Sequence, residues 1–482
     1  MSDDILNFIN GKYVAPQSDD WIDNINPADG STTGRIANSN AADVDAAVSA
    51  AEKALESWSN STLEFRSSIM MKIADLIDQN LESLAVAESE DSGKPITRAR
   101  TIEIPRAASN FRFFASAITQ FASESHESVG LNAINFTLRQ PLGVVGCISP
   151  WNLPLYLFTW KIAPAIATGN CVVAKPSELT PRTASLLGEL CNQAGLPAGV
   201  LNIVQGNGGS AGQAMLEHRG IKAISFTGGT ATGEHVARTV APQFKKLSLE
   251  LGGKNPNIIF ADCNYDKALA TTVLSSFANQ GQICLCGSRI FIEAPLYEQF
   301  KHDLVTKTQS LIVGHPAQPE TQIGAMISKS HHEKVLGYFD VAQQEGANLL
   351  CGGTVAEVPG AENGFYLQPT IFEVDSNLGR ISQEEIFGPV VTIMPFETEL
   401  ELIELANDVR YGLSATIWTT DLDRTMRLSK KIESGVIWVN TWLMRDLRTP
   451  FGGMKNSGVG REGGLEALRF FTEPKNICIV YE

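Results

Sequence analysis

Apolar residues in the first quarter of the chain have the spacing of amphipathic helices. Three stretches show this period, and they predict helices over residues 41–58, 66–91 and 101–121. Asn40 is available as a cap for the first of them, and the turn at 93–95 separates the second from the third. Because such helices bury one face, we expect them to flank a sheet.

In the next part of the chain, wholly apolar strands alternate with helices. The predicted strands are 144–148, 171–174, 201–204, 221–226 and 246–251, with helices at 183–194 and 230–240. This alternation indicates βαβ units and a parallel sheet covered by helices on both faces. A nucleotide would then bind at the carboxyl ends of the strands.

A second alternation of helices and strands, from residue 261 to residue 440, predicts a second α/β lobe. Near its end, a helix at 423–432 leads into a strand at 435–440. This strand is expected to carry the loop 442–448 to the functional site.

Further short strands lie outside the two alternations. Residues 5–37 are rich in turns, and Asn10-Gly11 and Asp29-Gly30 predict hairpins between brief strands. Residues 132–139 alternate polar and apolar positions like an exposed strand, and 476–480 form a predicted strand with no obvious partner nearby.

Composition and charge limit the classes of function. With 482 residues the chain is expected to form several lobes, since single cores stop growing near ~250–300 residues. Hydrophobic residues make up 43% and charged residues 19%, which is typical of a soluble globular protein. No apolar run approaches the ~20 residues needed to cross a bilayer. A net charge of −15 disfavours nucleic acid as a partner.

Cysteine usage indicates the compartment and argues against a metal. The eight cysteines have no regular spacing and lie mostly in apolar stretches, as expected for a reducing, cytoplasmic environment. The acidic N-terminus lacks a positive segment followed by an apolar core, so no signal or transit peptide is expected. Cys284-Leu285-Cys286 is too closely spaced for half of a zinc site and nothing completes it, so no metal is expected.

Residues 277–289 are the strongest candidate for chemistry. They follow a helical run and precede a predicted strand, so Cys284 is expected in a loop held by regular structure. A buried, inert cysteine is the alternative. A second segment, 247–256, favours chemistry because Glu250 interrupts an apolar strand just before Gly252-Gly253. A carboxylate there is costly unless it has a partner or a task.

These two segments resemble those of the aldehyde dehydrogenase superfamily, in which such a cysteine is the nucleophile and such a glutamate the general base. Five further motifs look like that family's and occur in its order: 148–152 (ISPWN), 174–178 (AKPSE), 226–230 (FTGGT), 384–389 (EEIFGP) and 450–453 (PFGG). The resemblance implies an α/β protein with an atypical Rossmann-like NAD-binding domain, an α/β catalytic domain and a small β oligomerisation element. The implied ranges are 1–120 with 141–251 for the first, 252–452 for the second, and 121–140 with 453–482 for the third.

The resemblance also implies roles at the reacting carbon. Cys284 would attack the aldehyde, and the Asn152 side-chain amide with the Cys284 backbone amide would stabilise the oxyanion of the thiohemiacetal. A helix cap is the alternative role for Asn152. After hydride transfer, Glu250 would activate the water that hydrolyses the thioester. Relatives that pass the acyl group to coenzyme A typically lack this glutamate, so a free acid is expected, and Cys286 is expected to pack or to remain a spare thiol.

NAD is the implied cofactor. The usual G-x-G-x-x-G fingerprint is absent, and residues 206–209 give only a weak likeness. Residues 228–233 are the better candidate, because the helix after this glycine turn can present its N-terminal amides to a pyrophosphate, although a tight turn alone would also explain the glycines. The implied cofactor-binding residues are Trp151, Lys175, Ser177, Glu178, Gly228, Gly229, Gly233, Glu385 and Phe387. A carboxylate at position 178 suits free ribose hydroxyls and would repel a 2′-phosphate, which favours NAD over NADP. Surface charge is the alternative for Lys175 and Glu178.

Arg106 and Arg445 fall where the substrate tunnel lies in the family, and two guanidinium groups there would match a carboxylate. The implied partner is therefore a small aldehyde that also carries an acid. Within the superfamily the chain most resembles 2-aminomuconic and 2-hydroxymuconic semialdehyde dehydrogenases. Tyr156 and Trp160 would line the same tunnel or simply pack.

Several alternatives stay open from the sequence. Either arginine could make a surface ion pair, and the nearby Arg112 and Arg448 could take their places. A dehydrogenase of an aromatic or betaine aldehyde is the nearest other function. A non-catalytic protein that keeps the fold is a different class, and it would be expected to lose Cys284 or Glu250. The resemblance further implies a homodimer or homotetramer.

Overall fold

The computed structural model describes residues 4–482. The first three residues, part of the acidic N-terminus on which the prediction about targeting peptides rests, lie outside the described part. The predicted α/β class is confirmed by helices and strands that alternate along most of the chain. Within residues 4–482, no helix has both the length and the apolar character needed to cross a membrane.

The strands and helices have the following bounds. The strands are β1 (Asn7–Ile9), β2 (Lys12–Val14), β3 (Trp21–Ile25), β4 (Thr32–Ala37), β5 (Ser125–Ser128), β6 (Ala133–Pro141), β7 (Val144–Ile148), β8 (Cys171–Lys175), β9 (Leu201–Ile203), β10 (Ile221–Thr227), β11 (Lys246–Glu250), β12 (Pro256–Ile259), β13 (Arg289–Glu293), β14 (Asn348–Cys351), β15 (Thr370–Glu373), β16 (Val390–Phe396), β17 (Tyr411–Gly412), β18 (Ser414–Trp418), β19 (Val436–Val439), β20 (Met454–Lys455), β21 (Gly458–Val459) and β22 (Thr472–Val480). The helices are α1 (Ala41–Ser59), α2 (Leu63–Gln79), α3 (Leu81–Ser92), α4 (Ile96–Arg98), α5 (Ile104–Ile118), α6 (Pro154–Ala167), α7 (Arg182–Ala194), α8 (Gln213–Glu217), α9 (Thr230–Val240), α10 (Tyr265–Phe277), α11 (Tyr297–Gln309), α12 (Lys329–Gln344), α13 (Arg380–Gln383), α14 (Glu399–Asn407), α15 (Leu422–Lys431) and α16 (Gly464–Phe470).

The first lobe is built on an eight-stranded sheet in the order β2-β1-β9-β8-β7-β10-β11-β21. The five strands from β9 to β11 in that order are parallel, and the strands at both ends are antiparallel. Every residue of β7 and β8 is buried. Strands covered on both faces are apolar throughout instead of alternating, and the predicted parallel sheet is confirmed.

The second lobe is built on a seven-stranded sheet in the order β14-β15-β16-β13-β12-β18-β19. All neighbouring strands pair in parallel except the edge strand β14. The predicted helix and strand near the end of this lobe are confirmed as α15 and β19. Trp442, in the loop after β19, donates its Nε1–H to the Leu285 carbonyl at 2.9 Å, so this loop meets the one that carries Cys284.

A third, three-stranded sheet contains β5, β6 and β22. Strand β22 pairs antiparallel with β6 along its whole length of nine residues, so the C-terminal strand has its partner far away in the sequence. In contrast, β21 pairs with β11, and Ala467 and Leu468 of α16 are buried in the core of the first lobe. Of the segment 453–482, only β22 joins the small sheet.

Of the first two predicted helices, one is confirmed and the other is divided into two. Helix α1 confirms its prediction, and the Asn40 side chain accepts the Ala42 N–H at 2.8 Å. The single helix predicted over 66–91 is wrong, because Asn80 divides it into α2 and α3. Asn80 donates its side-chain amide to the Leu76 carbonyl at 2.8 Å, which satisfies an acceptor at the end of α2.

The helix predicted over 101–121 has different ends. Helical structure begins with α4 at Ile96, passes through the π-helical turn Ala99–Glu103 and ends with α5 at Ile118. The wider π turn brings Glu103 into the interior, where its carboxylate lies 3.1 Å from Arg98 Nε. Periodicity based on the α-helix does not detect such a turn.

Both predicted hairpin turns are confirmed. Asn10 and Gly11 join β1 to β2, and both have positive φ (52° and 74°), the conformation that a type I′ turn requires. Asp29-Gly30 lies in the turn between β3 and β4, where Asp29 Oδ1 accepts the Ser31 N–H at 2.9 Å.

Candidate active site

The predicted motifs emerge together at the carboxyl edge of the first sheet. Ile148 at the end of β7 lies opposite Lys175 on one side and Phe226 on the other. Thr227 at the end of β10 lies opposite Glu250 at the end of β11. Because parallel strands end at one edge, the segments that follow them are neighbours in space, where open parallel sheets bind ligands.

A cavity of about 250 Å³ adjoins this edge and is lined by residues of both lobes. The predicted site residues that line it are Trp151, Asn152, Gly228, Gly229, Cys284, Glu385 and Phe387. The other lining residues are Pro150, Thr227, Leu251, Gly252, His331 and Lys334. The cavity thus brings together the predicted nucleophile Cys284 and the predicted oxyanion donor Asn152. The two predicted contacts of the nicotinamide end, Glu385 and Phe387, line it as well.

The half-buried Cys284 lies in the loop between α10 and β13, as predicted. Three consecutive residues with positive φ shape this loop: Asn279 (53°), Gln280 (57°) and Gly281 (70°). A side chain at position 281 would lie 2.0 Å from the Gly388 carbonyl oxygen. Only glycine allows the loop to approach that backbone.

The surroundings of Cys284 leave one donor free beside the sulfur. Burial raises the pKa of the thiol, and the carboxylates of Glu385 and Glu250 raise it further, whereas Arg445 opposes them. The Cys284 carbonyl accepts the Asn255 Nδ2–H at 2.7 Å. Its backbone N–H has no acceptor among the described residues, so that amide is available to an oxyanion.

Gly252 and Gly253 make room for two approaching groups. A Cβ at position 252 would lie 2.1 Å from Glu385 Oε2, and one at position 253 would lie 2.8 Å from the Cys284 carbonyl oxygen. The Gly253 N–H also donates to Glu385 Oε1 at 2.9 Å. Burial raises the pKa of Glu385 to about 7. The double glycine after Glu250 therefore brings a carboxylate and the cysteine loop together.

Asn152 does not cap the helix that follows it. Helix α6 begins at Pro154 with Leu153 in the cap position and no side-chain cap, so the alternative role for Asn152 is wrong. Instead, Asn152 Nδ2 donates to the Gln282 carbonyl at 2.9 Å, in the loop that carries Cys284. An amide nitrogen carries two hydrogens, and the second remains for a ligand in the cavity.

Glu250 is buried beside a second carboxylate. Within residues 4–482 neither of its oxygens has a hydrogen-bond partner. Burial raises the pKa of Glu250 well above the ordinary value and Glu462 raises it further, while Lys161 opposes them. The side chain lies outside the cavity lining, and a Cβ at Gly452 would lie 2.9 Å from its Oε1. An unpaired carboxyl group with a raised pKa has the properties of a general base.

The glycine turn before α9 leaves space for an anion. Gly229 precedes the helix, no side chain caps its first N–H groups, and a Cβ built at Gly229 would meet no atom within 4 Å. Helix N-termini of this kind bind phosphates. Gly233 is different, because it is buried and a Cβ there would lie 2.4 Å from Leu251. Gly233 thus serves helix packing and does not line the cavity.

Lys175 ends β8, Ser177 and Glu178 follow it, and all three lie outside the cavity lining. Lys175 Nζ lies 3.2 Å from Glu178 Oε2, and the glutamate side chain is 34% exposed. Lys175 is buried and burial lowers its pKa, so the surface-charge alternative is wrong for this residue. Ser177 Oγ accepts the Leu179 N–H at 3.2 Å.

Trp151, Phe387 and His331 form an aromatic wall of the cavity. The Trp151 ring centre lies 5.2 Å from that of Phe387 and 5.3 Å from that of His331. His331 Nε2 is 2.7 Å from the Phe387 carbonyl, and burial lowers the pKa of His331 to about 4, so its ring is neutral near pH 7. The sequence reasoning missed His331 and Lys334. The only local signal for these two residues is that they lie three positions apart, and therefore on one face of α12.

Arg106 and Arg445 meet at Tyr156. Their guanidinium carbons lie 5.6 and 5.7 Å from the Tyr156 ring centre. Arg445 also lies 4.0 Å from the Trp160 ring and 4.3 Å from the Phe451 ring, and its Nη1 donates to the Tyr156 hydroxyl. Arg445 Nη2 is buried and has no acceptor in the described part of the chain.

The two other candidate arginines are paired at the surface. Arg112 lies 2.7 Å from Asp75, and Arg448 lies 2.6 Å from Asp446. The surface pairing considered as an alternative therefore describes these two arginines. It does not describe the pair at Tyr156, because neither arginine there has an acidic partner within residues 4–482.

Cys286 packs among apolar side chains. Cys286 is buried, and burial raises its pKa to about 12, which fits packing. In the described part of the chain, no group of three or more His, Cys, Asp or Glu side chains is arranged to hold a metal ion.

The chain is similar in sequence and structure to aldehyde dehydrogenases. The sequence profile of the aldehyde dehydrogenase family matches residues 13–477. The 2-aminomuconic semialdehyde dehydrogenase of Mus musculus is 48% identical over 478 residues, with 98% of each chain covered. The 2-hydroxymuconic semialdehyde dehydrogenase of a Pseudomonas species is 46% identical over 482 residues, with 99% of each covered. The NAD⁺ complex of an aldehyde dehydrogenase from Bacillus cereus has a TM-score of 0.97 at 37% identity, covering 99% of this chain and 97% of that one.

Proposed function

The chain belongs to the aldehyde dehydrogenase family, and we propose that it oxidises 2-aminomuconic or 2-hydroxymuconic semialdehyde to the free acid with NAD as hydride acceptor. Relatives named for these two substrates are 48% and 46% identical to it over nearly their full length. Both substrates carry a carboxylate as well as an aldehyde. The site must therefore hold an anion at a fixed distance from the reacting carbon.

The guanidinium groups at Tyr156 carry the substrate part of the proposal. The guanidinium carbon of Arg445 lies over the Trp160 and Phe451 rings, and its Nη2 is buried and lacks an acceptor among the described residues. A buried charged N–H group without an acceptor is costly, and a substrate carboxylate would remove that cost. The charge of Arg445 also acts on the pKa of Cys284 and of Glu250, which supports a position close to the reacting groups.

Cys284 is the proposed nucleophile. Its thiol gives up its proton to water and the sulfur attacks the aldehyde carbon. A C–S bond forms as the π electrons of the C=O bond move to the oxygen, which becomes negative. The free second N–H of Asn152 and the Cys284 backbone N–H are the proposed donors to that oxygen. One such donor is worth ~10²- to 10³-fold in rate in other enzymes. When bound, NAD accepts the hydride that the tetrahedral carbon releases, so that a thioester with Cys284 remains.

Glu250 is the proposed base for the second half of the reaction. It removes a proton from water, whose oxygen attacks the thioester carbon. The C–S bond then breaks, the acid leaves, and the Cys284 sulfur takes up a proton. The raised pKa of Glu250 makes it a stronger base than an exposed carboxylate.

The carboxyl edge of the first sheet fits NAD on chemical grounds. The uncapped N-terminus of α9 and the open space at Gly229 suit a pyrophosphate. Glu178, fixed by Lys175, would accept hydrogen bonds from free ribose hydroxyls. Glu385 and Phe387, which line the cavity, are the proposed contacts of the nicotinamide end.

A neutral aromatic aldehyde is the second candidate substrate. Tyr156, Trp160 and Phe451 supply an aromatic surface around Arg445 on which a benzene ring could stack. A betaine aldehyde would place a cation beside two arginines, which repulsion disfavours. A non-catalytic role is disfavoured because Cys284 and Glu250 are both present.

A substrate panel tests the proposal. We expect kcat/KM for the two muconic semialdehydes, followed by NADH absorbance, to exceed that for benzaldehyde and betaine aldehyde by at least ~100-fold. Similar values for all four would contradict the carboxylate part of the proposal. No NADH with any aldehyde would contradict the dehydrogenase itself.

We also propose a homodimer or homotetramer in the cytoplasm. The edge strand β22 and its neighbour β6 expose Ile134, Leu138, Ile479 and Val480, and an open apolar edge can pair with a second chain. Eight free cysteines support a reducing compartment. Light scattering on the purified protein gives the oligomer number, and a monomer would contradict this part.

A further inference from the structure

We infer that Lys94 and Asn279, two residues outside the cavity, position the oxyanion-binding amide of Asn152. The inference rests on the proposed function, in which Asn152 stabilises the oxyanion. Neither Lys94 nor Asn279 lines the cavity that contains Cys284. Both donate a hydrogen bond to the backbone carbonyl of Asn152, so they are positioning residues.

Lys94 belongs to a buried ion pair. Its Nζ donates to Glu88 Oε1 at 3.2 Å and to the Asn152 carbonyl at 3.1 Å, and neither charged side chain is exposed. Glu88 Oε2 accepts the Leu155 N–H at 3.3 Å. The pair therefore holds the connection between β7 and α6 at two points. A buried ion pair stabilises a fold no better than apolar residues do, so a task in fixing this connection explains its presence.

Asn279 reaches the same carbonyl from the cysteine loop. Its Nδ2 donates to the Asn152 carbonyl at 3.1 Å and to the Gln282 carbonyl at 3.3 Å. The Gln282 carbonyl is also the acceptor of Asn152 Nδ2 at 2.9 Å. The Asn279 side-chain amide thus links the backbone of Asn152 to the Gln282 carbonyl, which orients the Asn152 side chain.

The backbone at Asn279 is held in an unfavourable conformation to make these contacts. Asn279 and Gln280 both have positive φ, which is uncommon outside glycine. Gln280 anchors this turn, because its Nε2 donates to the Ala325 carbonyl at 2.8 Å and to the Gly93 carbonyl at 3.3 Å. Gly93 immediately precedes Lys94, so the cysteine loop is bonded to the segment that holds Asn152. Local strain of this kind persists only where surrounding bonds maintain it.

These contacts give the Asn152 amide one direction. Lys94 and Asn279 both donate to the backbone carbonyl of Asn152. The Gln282 carbonyl accepts one of the two Nδ2 hydrogens of the Asn152 side chain. The other hydrogen is therefore aimed before the substrate arrives. An oxyanion donor stabilises the transition state only when it is aimed in advance, and a displacement of ~1 Å can cost ~10²-fold in rate.

The variant Asn279→Gly removes the amide but keeps the left-handed backbone. We expect kcat for the semialdehyde to fall by ~10- to 100-fold. The affinity for NAD and the rate of Cys284 alkylation by iodoacetamide should stay within about twofold, because neither uses the oxyanion donor. Asn10→Gly makes the same change at a left-handed asparagine in the β1–β2 turn and should keep the parental kcat.

A double variant separates positioning from a general structural role. Asn152→Ala keeps the carbonyl that Asn279 contacts but has no amide to aim. In that background, Asn279→Gly should cause no further loss of kcat, since the two changes remove one interaction. Losses that multiply would overturn the inference. Parental kcat in Asn279→Gly alone would also overturn it, and would leave the proposed function intact.

Lys94→Met gives a second test from the other side of Asn152. We expect the same loss of kcat, and again no additional loss in the Asn152→Ala background. The variant should also be less stable, because Glu88 is left buried without its cation. If Lys94→Met does not fold, the Asn279 variants decide alone. An enzyme that forms no NADH with any aldehyde refutes the proposed function instead.

Discussion

The guanidinium carbon of Arg445 lies 4.0 Å from the centre of the Trp160 ring, although the two residues belong to different lobes. This contact with the ring restricts the position of the guanidinium group. Arg445 Nη1 donates to the Tyr156 hydroxyl, and Arg445 Nη2 has no acceptor among the described residues. This geometry favours a substrate that brings its own carboxylate.

Arg445→Ala should affect an acidic aldehyde far more than a neutral one. We expect kcat/KM for 2-hydroxymuconic semialdehyde to fall by ~10²-fold, about 2 to 3 kcal/mol, because charge-assisted hydrogen bonds are lost. For benzaldehyde the change should stay below about threefold. Arg448→Ala, in the same loop but paired with Asp446, is the matched control. Equal losses on both aldehydes would refute the role of Arg445.

Arg106→Gln should act mainly on substrate binding. Arg106 lies 5.6 Å from the Tyr156 ring and is half-buried, so we expect it to attract the carboxylate equally in the ground state and the transition state. Initial rates should then show KM for the semialdehyde raised by ~10-fold with little change in kcat. Arg112→Gln on the same helix removes a surface arginine and should change neither constant. A lower kcat at an unchanged KM would count against this reading of Arg106.

The kcat–pH profile should show the raised pKa of Glu250. Glu250 acts as a carboxylate, so hydrolysis is lost as the pH falls through its pKa, which burial and Glu462 place above the ordinary range. Glu462→Gln removes the second cause, and the acid limb should move to lower pH. Glu466→Gln, at a surface glutamate paired with Arg469, should leave the limb in place. An acid limb that stays in place or moves to higher pH in Glu462→Gln would contradict the effect of Glu462 on the pKa of Glu250.

Glu178→Gln should weaken the preference for NAD. The carboxylate at 178 would repel a 2′-phosphate, and the amide would not, while both can accept a hydrogen bond from a ribose hydroxyl. We expect the ratio of kcat/KM for NAD to that for NADP to fall by at least ~10-fold. Glu189→Gln, an exposed residue of α7, is the control. An unchanged ratio would mean that Glu178 does not face the ribose.

Much of the fold follows from local patterns in the sequence. The apolar strands β7 and β8 and the helices α7 and α9 lie within one or two residues of their predicted ends, because burial on both faces and amphipathic spacing are local properties. The break at Asn80 and the π turn at Ala99–Glu103 were not predictable in this way. In both places the apolar spacing continues while the hydrogen bonding changes.

The residues of the candidate site were also only partly predictable from the sequence. Cys284, Glu250 and Asn152 could be named as candidates because each belongs to a segment that resembles a motif of the aldehyde dehydrogenase family. His331, Lys334, Lys94 and Asn279 could not, since their part in the site depends on contacts between segments far apart in sequence. The pairing of β22 with β6 agrees with the resemblance, which groups residues 121–140 with 453–482, whereas the local pattern of β22 indicates no partner because β6 lies far away in the sequence.

Trapping the acyl-enzyme tests most directly whether Cys284 and Glu250 divide the reaction between them. Glu250→Gln is mixed rapidly with NAD and the semialdehyde, quenched in acid, and analysed by intact-mass and peptide mass spectrometry. We expect the acyl group on Cys284 and about one NADH per site, followed by turnover slowed by at least ~10²-fold because water is no longer activated. Cys284→Ser should give neither adduct nor burst. An unmodified Cys284 in Glu250→Gln, or parental NADH formation by Cys284→Ser, would contradict the account.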